Sequence, residues 1–221
     1  MNRRRDRRPQ TKPSQPLMVV VTSPDAVKAY TELRRPGDRA VVLLERSGLL
    51  PYIDGQRGII IWSAADFTGA AQLLSTGDFV CYNPELNKVP REELEQLAAT
   101  VFYLHSSAEA RGLGLMVSGG SRIAERVAEE SARWADWYNV QAHNEQAEGG
   151  AYRAMVEQVA RTARLANPDV KVSSQVTTGQ GASANEIAAA MKIVVDLVDG
   201  YTLWVTPEGL PVYRDLMEWL S

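Results

Sequence analysis

The sequence predicts a compact (β/α)₈ barrel, and three observations favour this fold class. Eight short apolar segments follow one another between residues 17 and 207, each about as long as a strand. Most of them are separated by segments with apolar residues at three- and four-residue spacing, as in amphipathic helices. Residues 17–221 have room for eight such units, at the short end of the range for this fold. A doubly wound open sheet is the alternative, but no dinucleotide-binding fingerprint is evident.

The predicted strands and helices alternate along the chain. The strands are LMVVVTS (17–23), AVVLLE (40–45), GIIIWSA (58–64), DFVCYNPE (78–85), LGLMVSGG (113–120), WYNVQAHN (137–144), VKVSSQVTTG (170–179) and YTLWVTP (201–207). The helices cover 24–35, 89–111, 121–135, 149–169, 183–200 and 211–220. The weakest connection is RSGLLPYIDGQR (46–57), which has room for only a short helical turn.

Composition indicates one globular domain preceded by a tail. Residues 1–16 are basic and almost without apolar side chains, so we expect a disordered tail, followed by a single barrel domain over 17–221. A net charge of −3 argues against nucleic acid as a partner. No apolar window is long enough to span a membrane. The sequence as written predicts a cytoplasmic protein, or a secreted one if an upstream signal has been removed.

Alternation along the strands predicts a polar lumen. In WYNVQAHNE, Tyr138, Val140 and Ala142 would face the helices, so the intervening polar residues would face inward. The same period-two alternation places polar residues of other strands inward. The predicted inward polar residues are Asn83, Glu85, Ser118, Asn139, Gln141, His143, Ser173, Gln175 and Thr177, with Glu145 at the loop edge. Unpaired buried amides are unfavourable by about 1–3 kcal/mol each. The set therefore indicates either a small-molecule site at the C-terminal strand ends or a polar network that satisfies itself.

At these positions the chain resembles the chitinase-like glycoside hydrolases. That family carries Asp-x-Glu at the end of strand four, with Glu as the general acid, and this sequence has YNPE, with Asn83 and Glu85. On strand six VQAHN matches the family through Gln141 and Asn144, with His143 at the position of a tyrosine. Trp204 stands where the family has the tryptophan that forms the floor of the sugar-binding site. The chain is also similar to uncharacterised barrel proteins of high-GC bacteria, a resemblance that implies no activity.

The resemblance implies a barrel acting on a sugar or sugar-like substrate, with Glu85, Asn83 and His143 as catalytic residues. Gln141, Asn144, Gln175, Trp204, Trp62 and Glu145 would bind the substrate, with no cofactor or metal. Asn83 departs from the family because an amide cannot supply the negative charge of an aspartate. Whether the protein is an enzyme therefore stays open, and a non-catalytic barrel binding a glycan or small molecule is the first alternative.

The second alternative is a lyase or isomerase on a phosphate-anchored metabolite. The loops SGGSR (118–122) and TTGQGAS (177–183) contain glycines and lead into predicted helices, so their backbone N–H groups could hold an anion. A Schiff-base mechanism is disfavoured, because Lys171 stands at the start of its strand rather than at the end. Cys81 is expected to be a buried structural residue.

Overall fold

The protein folds into a closed barrel of eight parallel strands in sequential order, which confirms the predicted (β/α)₈ class and rules out the open sheet. The computed structural model describes residues 14–120 and 123–221. The strands are β1 Leu17–Val20, β2 Arg39–Leu43, β3 Arg57–Ile61, β4 Phe79–Tyr82, β5 Gly114–Gly119, β6 Trp137–Val140, β7 Lys171–Thr177 and β8 Gly200–Trp204. Residues 1–13 of the predicted tail lie outside the described residues, whereas Pro16 already accepts a backbone hydrogen bond from Tyr201 at 3.0 Å.

Helices and shorter turns connect the strands. The helices are α1 Pro24–Leu33, α2 Phe67–Gln72, α3 Arg91–Glu95, α4 Leu97–Glu109, α5 Ala124–Ser131, α6 Gly149–Ala166, α7 Ala184–Ile193 and α8 Leu210–Leu220. The weak connection after β2 is a 3₁₀ segment, Leu44–Tyr52. The single helix predicted over 89–111 is wrong: Gln96, at φ −118° and ψ 35°, separates α3 from α4. In the described chain no helix is long and apolar enough to cross a membrane.

The lumen of the barrel has an apolar half and a polar half. Inward residues of β1 to β5 form one buried apolar cluster: Met18, Val20, Val41, Ile60, Phe79, Cys81 and Met116. Most inward positions of β5 to β8, together with Gln141 directly after β6, are instead buried polar residues: Ser118, Asn139, Gln141, Ser173, Gln175, Thr177 and Thr202. The outward residues of the same strands pack with the helices in a separate core. The predicted alternation of inward and outward residues is therefore confirmed.

Four aspartates repeat one contact around the N-terminal end of the barrel. Each stands directly before an even-numbered strand, and its carboxylate accepts a backbone N–H of the odd-numbered strand before it. The pairs are Asp38 with Leu17 at 2.8 Å, Asp78 with Arg57 at 3.0 Å, Asp136 with Leu115 at 2.8 Å and Asp199 with Val172 at 2.8 Å. These bonds satisfy backbone N–H groups at the starts of the odd-numbered strands. The same aspartate contact therefore joins each of the four pairs β1–β2, β3–β4, β5–β6 and β7–β8.

Candidate functional site

A cavity of about 310 Å³ opens at the C-terminal end of the barrel, and we call it the rim cavity. It lies between the segments that follow β4, β5 and β6. Its described lining is Glu85, Leu86, Asn87, Gly120, Ile123, Gln141, His143 and Asn144. Side chains carrying amides, a carboxylate and an imidazole thus share one opening, at the end of the barrel where enzymes of this fold place their sites.

Glu85 is held by two neighbours. Its Oε1 accepts a hydrogen bond from Nδ2 of Asn83 at 3.1 Å, and its Oε2 lies 3.5 Å from Nζ of Lys88. The same ammonium group lies 3.5 Å from the centroid of the Trp62 ring, so Lys88 covers one face of that indole. Lys88 therefore contacts the predicted proton donor and covers the predicted sugar platform at the same time.

A hydrogen-bonded network of amides and hydroxyls fills the polar half of the lumen below the rim cavity. Nε2 of Gln141 donates to Oδ1 of Asn83 at 2.8 Å and to Oγ of Ser118 at 3.0 Å. Nδ2 of Asn139 donates to Ser118 at 2.8 Å and to Oε1 of Gln175 at 3.1 Å. These buried amides therefore satisfy one another, and their burial does not by itself require a ligand.

His143 is a further link between the network and the rim cavity, beside Gln141 and Glu85. Nε2 of Gln175 lies 3.0 Å from Nδ1 of His143. Burial lowers the pKa of His143 from its ordinary value of 6.5, while the nearby Glu145 and Glu85 oppose this shift. Desolvation has the larger effect, so the imidazole is neutral at neutral pH. Oε2 of Glu145 is buried and has no hydrogen-bond partner among the described residues.

Gln146 makes a contact with β7 that the sequence did not indicate. β6 ends at Val140, before the predicted end at residue 144, whereas β7 continues to Thr177. The side chain of Gln146 pairs with the end of β7 that extends beyond β6: its Oε1 accepts from N of Thr177 at 2.8 Å, and its Nε2 donates to O of Thr177 at 3.3 Å. The amide makes the two hydrogen bonds that a neighbouring strand would make with Thr177, and it thereby links the segment that contains His143 and Glu145 to β7.

The predicted site residues fall into three groups. Glu85, Gln141, His143 and Asn144 line the rim cavity, whereas Asn83 and Gln175 are buried in the network beneath it. Trp62 and Trp204 both pack against the apolar half of the lumen, and Lys88 lies over the ring of Trp62. Neither tryptophan belongs to the described lining, and neither does Glu145. Lys88 is the residue that sequence reasoning missed here, because only the structure reveals its contacts with Glu85 and Trp62.

The groups that could support anion binding or Schiff-base chemistry are already bonded, lie outside the described residues, or lie at the other end of the barrel from the rim cavity. The first turn of α7 is closed by a capping box, in which Glu186 accepts from N of Ser183 at 2.8 Å. The other proposed anion loop includes residues 121 and 122, which lie outside the described residues. Lys171 is exposed at the start of β7, with Nζ 5.6 Å from the centroid of the Trp137 ring. No group of three or more potential metal ligands of the His, Cys, Asp or Glu type occurs in the part of the chain that is described.

Comparison with known proteins identifies the fold but no family. No family model and no curated protein match this sequence. Among solved structures, a Schiff-base-forming fructose-1,6-bisphosphate aldolase has a TM-score of 0.59 at 13% identity, covering 94% of each chain. A chitinase from Chromobacterium violaceum has 0.57 at 12% identity, covering 91% of this chain and 98% of its own. A protein described as a deoxyribose-phosphate aldolase from Toxoplasma gondii has 0.59 at 12% identity, covering 93% of both chains. Likeness at such low identity shows the barrel fold alone.

Proposed function

We propose that the protein is a glycoside-hydrolase-like barrel that binds a sugar or a sugar-like polyhydroxyl compound in the rim cavity. The observation that carries the proposal is the lining: amide groups of Asn87, Gln141 and Asn144 stand beside the Glu85 carboxylate and the neutral His143 imidazole. Sugar hydroxyl groups donate and accept hydrogen bonds, and this mixture of groups can satisfy both roles. The lining also includes Glu85, Gln141 and Asn144, which are the residues that match the chitinase-like glycoside hydrolases in the sequence.

Acid catalysis by Glu85 is a second candidate, and its position at the cavity favours it. Glu85 would give its proton to the glycosidic oxygen as the C–O bond breaks, while water adds to the anomeric carbon and releases a proton. Both oxygens of the Glu85 carboxylate already have partners in the protein, Asn83 and Lys88, before a substrate arrives. The described lining contains no second carboxylate to act as a base. These features support binding more strongly than hydrolysis.

A lyase or isomerase acting on a phosphate-anchored metabolite has less support. Two of the solved structures with this fold are described as aldolases. In this chain Glu186 already occupies the first turn of α7, and Lys171 lies at the opposite end of its strand from the rim cavity. If the protein binds a phosphorylated compound more tightly than every glycan tested, the lyase or isomerase function becomes the better-supported one.

The test is a binding titration followed by a turnover assay. Chito-oligosaccharides, other glycans and a set of phosphorylated metabolites would be titrated against the wild type while intrinsic tryptophan fluorescence is recorded. The variants are Glu85→Gln, Lys88→Ala and, as a matched lysine control at the other end of the barrel, Lys171→Ala. Truncating Lys88 uncovers the Trp62 face, so we expect Lys88→Ala to change glycan affinity severalfold while Lys171→Ala leaves it unchanged.

Each outcome separates the candidates. Glycan binding without turnover supports the binding function alone. Turnover by the wild type that is lost in Glu85→Gln supports acid catalysis. An absence of glycan binding by the wild type, with correct folding confirmed by circular dichroism, would refute the proposed function.

A further inference from the structure

The orientation of one buried amide determines what His143 offers to the rim cavity. The carbonyl oxygen of Gln175 accepts from Nδ2 of Asn139 at 3.1 Å, so the amino group of Gln175 is the end that faces His143. That amino group lies 3.0 Å from Nδ1 of His143. An amide NH₂ group donates hydrogen bonds and accepts none, so Nδ1 has to be the unprotonated nitrogen of the ring.

The contacts of Asn139 support this orientation of the Gln175 amide. Oδ1 of Asn139 accepts from Oγ of Ser173 at 3.1 Å, while Nδ2 donates to Oγ of Ser118 as well as to Gln175. Every polar atom of the Asn139 side chain thus faces a group of complementary type. Reversing Gln175 would require Asn139 to reverse too, which would then oblige both serine hydroxyls to rotate.

A neutral imidazole with an unprotonated Nδ1 carries its hydrogen on Nε2. His143 lines the rim cavity, and within the described ranges no hydrogen bond involves its Nε2. Nε2 is therefore the ring nitrogen available to a ligand. The lowered pKa of His143 is consistent with a neutral ring, although the direction of the hydrogen bond follows from the amide geometry alone.

We propose that Gln175 is a positioning residue that holds His143 in the Nε2–H tautomer, so that the ring presents an N–H donor to the rim cavity. The ligand would then place an oxygen acceptor, from a carbonyl, carboxylate or hydroxyl group, against Nε2. This second step rests on the proposed function, whereas the tautomer does not. Gln175 itself would not contact the ligand, because Asn139 and His143 already occupy its amide.

The tautomer can be tested without any ligand. Long-range ¹H–¹⁵N correlation spectra of the full chain, recorded near neutral pH, distinguish a protonated from an unprotonated ring nitrogen. We expect wild-type His143 to show an unprotonated Nδ1. In Gln175→Glu the carboxylate accepts instead of donating, so we expect Nδ1 to become protonated. Gln175→Met removes the donor without adding charge and should leave only the weaker intrinsic preference of a free imidazole. His105, the other histidine of the chain, is the internal control and should not change.

The results that overturn the proposal are distinct for its two steps. A protonated Nδ1 in the wild type, or a tautomer indifferent to both Gln175 variants, would overturn the positioning role. For the ligand step, we expect Gln175→Glu to weaken binding of a glycan that binds the wild type by about tenfold, the equivalent of one lost hydrogen bond. Unchanged affinity with a switched tautomer would overturn the ligand step. If no probe binds the wild type, the ligand step fails with the proposed function, and the spectra alone decide the tautomer.

Discussion

Removal of the Asp38 carboxylate should destabilise the barrel far more than removal of its counterpart Asp199. Both aspartates accept a backbone N–H at 2.8 Å, from Leu17 and Val172 respectively. The side chain of Asp38 is only 1% exposed, whereas that of Asp199 is 44% exposed. Water can therefore replace the lost acceptor after Asp199→Ala, but it has little access after Asp38→Ala.

The magnitude follows from the groups left without partners. Asp38 also accepts from N of Arg35 at 2.9 Å and pairs with its guanidinium group at 3.2 Å. Leaving a buried donor unsatisfied is unfavourable by about 1–3 kcal/mol, and breaking a largely buried ion pair by about 3–5 kcal/mol. We expect a loss of about 3–5 kcal/mol for Asp38→Ala. For Asp199→Ala, which loses an exposed ion pair and a hydrated acceptor, we expect about 1 kcal/mol.

Urea unfolding followed by far-ultraviolet circular dichroism measures both losses. The midpoint should fall clearly for Asp38→Ala and slightly for Asp199→Ala, with no change in the slope of either transition. Equal losses in the two variants would refute the reasoning, since the predicted difference depends entirely on burial. A changed slope would mean that the unfolded or the native state had altered, and the comparison would then have to be made from calorimetry.

Three further predictions concern other parts of the lumen and rim. Burial raises the pKa of Cys81 to about 12, so a thiol reagent at neutral pH should react only after the protein unfolds. The pKa of His143 is lower in the folded than in the unfolded chain, so the free energy of unfolding should decrease as pH falls below about 6.5; His143→Gln should reduce this dependence, as measured by urea unfolding at several pH values. A methyl group at Gly58 would lie 2.5 Å from the Phe79 ring, so Gly58→Ala should destabilise by about 1–3 kcal/mol, with partial recovery on adding Phe79→Leu, as judged by thermal unfolding.

Much of the fold could be predicted because the strands alternate with a period of two. The inward direction of Cys81, Met116 and Ser173 followed from that period together with closure of the sheet. The sequence also has an aspartate directly before each of β2, β4, β6 and β8, a repeat that coincides with the starts of alternate strands. The break at Gln96 could not be predicted, because the residues on both sides continue a helical pattern and tertiary contacts decide the boundary.

The candidate site could be predicted in its positions but not in its pairings. Asn139 and Gln175 are 36 residues apart, and Gln146 lies 31 residues before Thr177, so no local pattern indicates that they meet. The sequence likewise contains nothing that brings Lys88 onto Trp62. Pairings of this kind depend on the register between neighbouring strands and on the course of the loops after them, which only the folded chain specifies.

These pairings change the meaning of the polar lumen. If the buried amides lacked partners, a ligand would be needed to satisfy them, and every inward polar residue would be a candidate contact. Gln141 bonds to Asn83 and Ser118, and Asn139 bonds to Gln175 and two serines. Because these amides satisfy one another, the network forms a rigid support rather than a binding surface. Recognition is then left to the groups at the upper edge of that support. His143 belongs to both, since one ring nitrogen completes the network and the other remains available to the cavity, so the network can determine which hydrogen-bonding group a ligand meets.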